Sequence, residues 1–97
     1  MKTIDEIKDL ISINKEILKE RYKIKEISIF GSYIRGEQIE TSDIDILVDF
    51  ERPVSLLHII SFENYLSDLL GIKVDVIPKR NIRKEIKQDI LKEAIPV

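Results

Sequence analysis

The stretch ISIFGSYIRGEQIETSDIDILVDF, residues 27–50, decides how this chain folds. It opens with a short, mostly apolar run, Ile27-Ser28-Ile29-Phe30, that stops at Gly31, which predicts a buried strand that enters a tight turn. Its last eight residues alternate between two faces, as side chains do along a strand. One face carries Ile44, Ile46, Val48 and Phe50, and the other carries Asp43, Asp45, Leu47 and Asp49. The alternation predicts a second strand that turns one face towards a hydrophobic core.

Apolar residues at helical spacing flank this stretch on both sides. Thr3 followed three positions later by Glu6 resembles a capping box, which predicts a first amphipathic helix that extends to about Tyr22. A second helix is predicted over roughly 55–70, with Gly71 as its C-terminal cap.

A third strand and a last helix follow. Residues 73–77 predict a strand closed by Pro78, and Asn81 is the predicted cap of the final helix. The order helix, strand, strand, helix, strand, helix indicates an α/β unit in which a small sheet is backed by helices. Since 97 residues leave no room for a second independent core, we expect a single domain over residues 1–97. The pattern leaves the strand order open.

Composition excludes several classes of protein. Sixteen Lys and Arg against eighteen Asp and Glu give a net charge of −2, so the chain as a whole is not an electrostatic nucleic-acid binder. The absence of cysteine excludes disulfide frameworks, thiolate metal sites and cysteine nucleophiles. The first twenty residues are charged throughout and lack a signal-peptide core and a membrane span, so we expect a soluble, cytoplasmic protein.

Asp43 and Asp45 are the first candidate site residues. Both project from the same strand face, ~6.6 to 6.8 Å apart along the chain. Two carboxylates so placed repel each other unless they share a cation, and magnesium is usually held by one or two carboxylates plus substrate phosphates. The alternative is a solvated acidic strand face, since acidic residues are mostly exposed.

Gly31 and Ser32 form a candidate phosphate site. Glycine permits a close backbone approach, a following helical turn would aim N–H groups at a phosphate, and Ser32 adds a hydroxyl donor. Arg35 could pair with a phosphate through its planar fork. An ordinary turn followed by an exposed arginine is the alternative.

Asp75 is an acid within an otherwise apolar short strand. Burying an isolated carboxylate is costly unless it is paired or bound to metal. If this strand neighbours the one that begins near Asp43, Asp75 completes a cluster of three carboxylates. The alternative is an acid on an edge strand that faces water.

The remaining polar residues are given weaker roles. Asp49 lies ~13 Å from Asp45 by strand rise and is expected outside the metal cluster. His58 is the only histidine and is expected to pack within the second helix. Tyr33 directly follows Ser32 and is the tyrosine expected nearest a nucleotide.

A basic cluster follows the Asp75 strand and consists of Lys79, Arg80, Arg83 and Lys84. It could meet a triphosphate, an acidic partner or RNA, or form a solvated face.

The spaced motif resembles the signature of the DNA polymerase beta nucleotidyltransferase superfamily. Gly31-Ser32 is followed after ten residues by Asp43-Ile44-Asp45, and Asp75 comes thirty residues later. The longer strings GSYIRGE, residues 31–37, and TSDIDILVDF, residues 41–50, resemble the small MNT-type minimal nucleotidyltransferases. The resemblance extends over nearly the whole chain.

Two departures from the MNT pattern are small. Ile34 stands where the group more often has alanine, and Asp49 stands where glutamate is frequent. The resemblance implies a nucleotidyltransferase fold and two magnesium ions, with Asp43 and Asp45 binding the ion that carries the triphosphate. All three aspartates would surround the catalytic ion, and Asp75 would help to activate the attacking hydroxyl.

The resemblance also implies a substrate and a partner. Ser32 and nearby amides would hold the terminal phosphates of ATP. The expected activity is transfer of AMP from ATP to a tyrosine of a cognate HEPN-type toxin, which would make this protein an adenylyltransferase and antitoxin. The alternatives are a non-catalytic module that occludes its toxin, and transfer to a small molecule with a homo-oligomer building the acceptor pocket.

Overall fold

The computed structural model describes residues 2–97. The N-terminal half contains α1 (Ile4–Ile13), α2 (Lys15–Tyr22), β1 (Ile24–Phe30), the short helix α3 (Ser32–Arg35) and β2 (Ile44–Phe50). The C-terminal half contains α4 (Leu56–Leu70), β3 (Val74–Pro78), a 3-10 turn (Lys79–Asn81), α5 (Lys84–Glu93) and β4 (Ile95–Pro96).

The strands form one mixed sheet in the order β3-β2-β1-β4. β1 is antiparallel to both β2 and β4, whereas β2 and β3 are parallel and are connected through α4. Asp45 lies in register with Asp75 on one side and with Phe30 on the other. The third strand is therefore a direct neighbour of the second, as the interpretation of Asp75 required.

The two faces of the sheet have different surroundings. The predicted core face of β2 is buried and packs with residues of α1, α2 and α4 in one hydrophobic cluster, which confirms the alternation. The opposite face carries Asp45, which is partly buried, and Leu47, which is buried. Leu47 lines a groove with Leu91 and Ala94, so the C-terminal end of α5 lies over this face.

The predicted first helix is interrupted. The capping box at Thr3 is present, but α1 ends at Ile13 and α2 starts at Lys15. Between them, Asn14 donates a hydrogen bond from its side-chain amide to the carbonyl of Leu10 at 2.8 Å. An asparagine side chain that bonds to the backbone in this way competes with regular helix geometry.

The prediction for the last helix was wrong at its start. Asn81 does not cap it, because Lys79–Asn81 forms a single 3-10 turn and α5 begins at Lys84. Arg80 holds this turn by donating from Nη2 to the carbonyl of Phe50 at 2.9 Å. This contact joins residues 30 apart in sequence, so helical periodicity carries no signal of it.

Two short elements add to the predicted order. α3 has four residues and β4 has two, and β4 pairs with Ser28 and Ile29 of β1. Segments this short have no measurable periodicity. Within the described range, no helix combines the length and apolarity that crossing a membrane requires.

Candidate active site

Asp45 lies at the centre of the candidate site. The parallel register of β2 and β3 places it directly beside Asp75, and Asp43 precedes β2 by one residue. Asp43 and Asp45 are partly buried, whereas Asp75 is exposed on an edge strand. The sequence left open whether Asp75 faces water or joins the other two acids. In the structure its side chain is exposed, and its strand position is in register with that of Asp45.

Negative charge accumulates at Asp45. The pKa of its carboxyl is raised above the ordinary value of 3.8, mainly because burial disfavours the charged form. The neighbouring carboxylates of Asp75 and Asp43 raise this pKa further. A bound cation would relieve this repulsion.

Gly31 is required beside Asp45 for two reasons. Its backbone has φ 83° and ψ −153°, a conformation essentially restricted to glycine. A Cβ atom at this position would overlap Oδ2 of Asp45. The carboxylate therefore lies against the bare backbone of the turn, and the predicted phosphate site and acid pair belong to one place in the fold.

The helical turn predicted after Gly31 is present as α3. The carbonyl of Gly31 accepts hydrogen bonds from the amides of Ile34 and Arg35 at 3.0 and 3.1 Å. Because the first N–H groups of a helical turn have no partner within it, those of Ser32 and Tyr33 can serve an external acceptor. Ser32 itself is partly exposed beside them.

Arg35, the predicted phosphate ligand, is engaged with two carboxylates. It forms ion pairs with Glu37 and with Glu93, the latter at 2.6 Å. Glu93 also accepts a hydrogen bond from the amide of Gly31 at 3.2 Å. Sequence reasoning missed Glu93, because it lies 62 residues from Gly31 and belongs to no motif.

Tyr33 follows Ser32 in α3 and is buried. Its ring is buried in the hydrophobic cluster, and burial followed by the charge of Asp43 raises its pKa. A neighbouring cleft of about 430 Å³ is lined by Lys2, Glu6, Tyr33, Glu40, Gly71 and Ile72. Tyr33 is thus a buried residue that also lines a cleft.

The residues present fit a magnesium site that substrate completes. Among residues 2–97, no three acidic or histidine side chains converge closely enough to hold a metal ion by themselves. All the donors at Asp43, Asp45 and Asp75 are carboxylate oxygens, the ligands that magnesium prefers, and magnesium commonly takes further ligands from phosphates. Oδ2 of Asp43 lies 3.8 Å from Nζ of Lys73, which is a long ion pair to an exposed lysine.

The weaker candidates lie elsewhere. Nε2 of His58 lies 2.7 Å from the carbonyl oxygen of Tyr22, and its ring meets the edge of Phe50, so the expected packing role is confirmed. Asp49 lines a separate groove with Lys79, Arg80 and Lys87. Within the basic cluster, Arg80 supports the 3-10 turn through its bond to the carbonyl of Phe50.

Comparison with known proteins identifies a family and named relatives. A family model described as a nucleotidyltransferase domain matches residues 11–97. A relative from Methanocaldococcus jannaschii, named as a protein adenylyltransferase, is 58% identical over 94% of this chain and 98% of its own length. Protein adenylyltransferase MntA of Thermococcus cleftensis is 45% identical over 100% of this chain and 98% of its own.

Solved structures also resemble this fold. A minimal nucleotidyltransferase has a TM-score of 0.76 and 33% identity, with 94% of this chain and 95% of that chain covered. A toxin–antitoxin crystal structure with AMP-PNP has a TM-score of 0.73 and 24% identity, with 87% of this chain and 69% of that chain covered. At that identity the second structure shows a shared fold.

Proposed function

This chain belongs to the nucleotidyltransferase domain family, and on that premise we propose that it transfers AMP from ATP to a partner protein in a magnesium-dependent reaction. The observation that carries the proposal is the contact between the Gly31 turn and Asp45, with Asp75 in register on the next strand. The proposal is supported by the position of this turn and these two acids, which lie at the same end of three neighbouring strands.

The roles of the residues follow from their positions. Asp43 and Asp45 would hold the ion that carries the triphosphate, and Asp75 would join them at the catalytic ion. Bound magnesium supplies stabilisation of charge on the entering and leaving oxygens of an in-line displacement. Ser32 and the first amides of α3 hold the terminal phosphates.

Asp75 is the residue best placed to face an acceptor. It is exposed on β3, an edge strand, whereas Asp45 is partly covered by the turn. We assign to Asp75 the acceptance of the proton from the attacking hydroxyl. The oxygen of that hydroxyl attacks the α-phosphorus, its bond to phosphorus forms as the bond to pyrophosphate breaks, and pyrophosphate leaves.

The acceptor in this proposal is a tyrosine of a cognate HEPN-type toxin, which makes the protein an antitoxin. Support comes from the names of the relatives as protein adenylyltransferases and from the toxin–antitoxin structure that shares the fold. The open approach to Asp75 suits a macromolecular acceptor that brings its own hydroxyl to the site.

The test is incubation of the protein with labelled ATP, magnesium and a helical toxin encoded beside its gene. Wild type is expected to transfer label to a toxin tyrosine, and Asp43→Asn/Asp45→Asn is expected to transfer none. Asp49→Asn is the matched control, because it removes a charge from the same strand face beyond the aspartate pair. Inhibition of the toxin without transferred label, unchanged in the double variant, would replace this proposal with an occluding module.

A further inference from the structure

The carboxylate of Glu93, which lies outside the sequence motif, bonds to two groups that could bind a phosphate. Oε2 of Glu93 accepts from the amide of Gly31 at 3.2 Å, and Oε1 pairs with Nη1 of Arg35 at 2.6 Å. A backbone amide at a glycine turn and a planar guanidinium are typical phosphate ligands. Glu93 therefore sits where an anion is recognised.

The helix that carries Glu93 is weakly anchored. None of the ten described residues of α5 is buried. Its C-terminal end is held by the two contacts of Glu93 and by the pairing of β4 with β1, where Val97 donates to the carbonyl of Ile27 at 3.0 Å. Glu93 can withdraw from the turn without opening the main hydrophobic cluster, because α5 lies on the other face of the sheet.

The charge at the site makes simultaneous occupancy unfavourable. Asp43, Asp45 and Asp75 already concentrate negative charge here, and Glu93 adds to the charge felt by Asp45. The Glu93 carboxylate already accepts a hydrogen bond from the amide of Gly31. A triphosphate that binds to the same amide would therefore come into contact with this carboxylate. Two anions in contact repel each other strongly where water is partly excluded.

We propose that Glu93 occupies the position of a phosphate in the nucleotide-free protein, and that the incoming triphosphate displaces it from Gly31 and Arg35. This inference rests on the proposed function, since it concerns the same triphosphate. Displacement frees Arg35 to pair with the triphosphate. It also moves the end of α5 away from the face on which Asp45 and Asp75 lie.

The consequence is a reduced affinity for nucleotide. When only a fraction of the protein is in the binding-competent state, the apparent dissociation constant rises by the inverse of that fraction. Glu93→Gln keeps the size of the side chain and removes its charge, so the pair with Arg35 is lost. We expect this variant to bind ATP about threefold to tenfold more tightly than wild type.

The experiment is calorimetric titration of the full chain with ATP and magnesium, and separately with inorganic tripolyphosphate. Glu37→Gln is the matched control: it removes the same charge from the other partner of Arg35, and Glu37 has no contact with Gly31 in the described hydrogen bonds. We expect Glu37→Gln to change the dissociation constant by less than about twofold. Thermal unfolding of each variant checks that it is folded.

The outcomes separate this inference from the proposed function. Binding of ATP by wild type, with equal or weaker binding by Glu93→Gln, overturns the inference alone and makes Glu93 a residue that positions the turn. An equal gain in both variants also overturns it, because charge removal in general would then explain the effect. Absence of ATP binding in wild type and both variants overturns the proposed function and this inference together.

A second variant covers the case in which Glu93→Gln does not fold. Glu93→Asp keeps the charge, but its side chain is one methylene shorter and cannot reach Gly31 and Arg35 together. We expect it also to bind tripolyphosphate more tightly than wild type. Unchanged or weaker binding by a folded Glu93→Asp variant would overturn the inference.

Discussion

Substitution of Gly31 by alanine tests two requirements of this turn: a backbone conformation that favours glycine, and space for the Asp45 carboxylate. Gly31 has φ 83° and ψ −153°, and an added Cβ would overlap Oδ2 of Asp45. Gly36 also has a positive φ, 71°, but a Cβ there meets no atom within 4 Å. Gly36→Ala is therefore the control that carries backbone strain without the collision.

The expected magnitudes follow from these conformations. A non-glycine residue in the conformation of Gly31 costs about 1–3 kcal/mol, and alanine in the left-handed conformation of Gly36 costs about 1–2 kcal/mol. For a domain of this size, each kcal/mol lowers the melting temperature by about 4–8 °C. Gly31→Ala should be the less stable of the two, because the Asp45 carboxylate must also move.

Activity should distinguish the variants more sharply than stability. A displacement of about 1 Å in a reacting group can lower a rate by about 100-fold. We expect Gly31→Ala to lose AMP transfer by about this factor at a temperature where it is folded, and Gly36→Ala to keep most of it. The assays are thermal unfolding and transfer of labelled AMP.

Equal transfer rates in the two alanine variants would refute this reasoning. They would mean that Asp45 does not need to lie against the bare backbone of Gly31. Loss of transfer in Gly31→Ala with normal binding of ATP would instead support the view that the carboxylate, rather than the phosphate site, was displaced.

Three further predictions test other parts of the structure. Because the pKa of Asp45 is raised in the fold, the folded protein binds more protons than the unfolded chain above pH 3.8, and its free energy of unfolding should fall as pH rises through the raised pKa. Denaturant titrations at several pH values, without metal, should show that the free energy of unfolding falls more with rising pH in wild type than in Asp45→Asn. An equal fall in both proteins would show that Asp45 is not the cause. Asp75→Asn should lower AMP transfer by about 10²–10⁴-fold, the usual contribution of a general base, with little loss of stability because Asp75 is exposed; single-turnover rates that match wild type would remove it from the mechanism. Thr3→Ala removes the capping box of α1 and should cost about 1 kcal/mol, or about 4–8 °C in melting temperature, and an unchanged melting temperature would show that this helix end adds nothing to stability.

Local patterns were sufficient for the larger elements. The alternation along β2, the capping box at Thr3 and the cap at Gly71 all correspond to elements in the structure. Each of these signals is contained within a few consecutive residues, because strand and helix periods and end caps depend on near neighbours. The errors arose where a side chain donates to a backbone carbonyl, as Asn14 does to Leu10 and Arg80 does to Phe50, because the spacing of apolar residues carries no signal of such bonds.

The amino-acid sequence by itself determined the chemical character of the candidate site. The glycine turn, the Asp43–Asp45 pair and Asp75 are readable from spacing, because period-two alternation sets which side chains share a face. Only the tertiary structure decided that Asp75 lies in register with Asp45 and that Glu93 reaches Gly31 across 62 residues. Strand order and the docking of α5 depend on packing between distant segments, and local periodicity carries no information about such contacts.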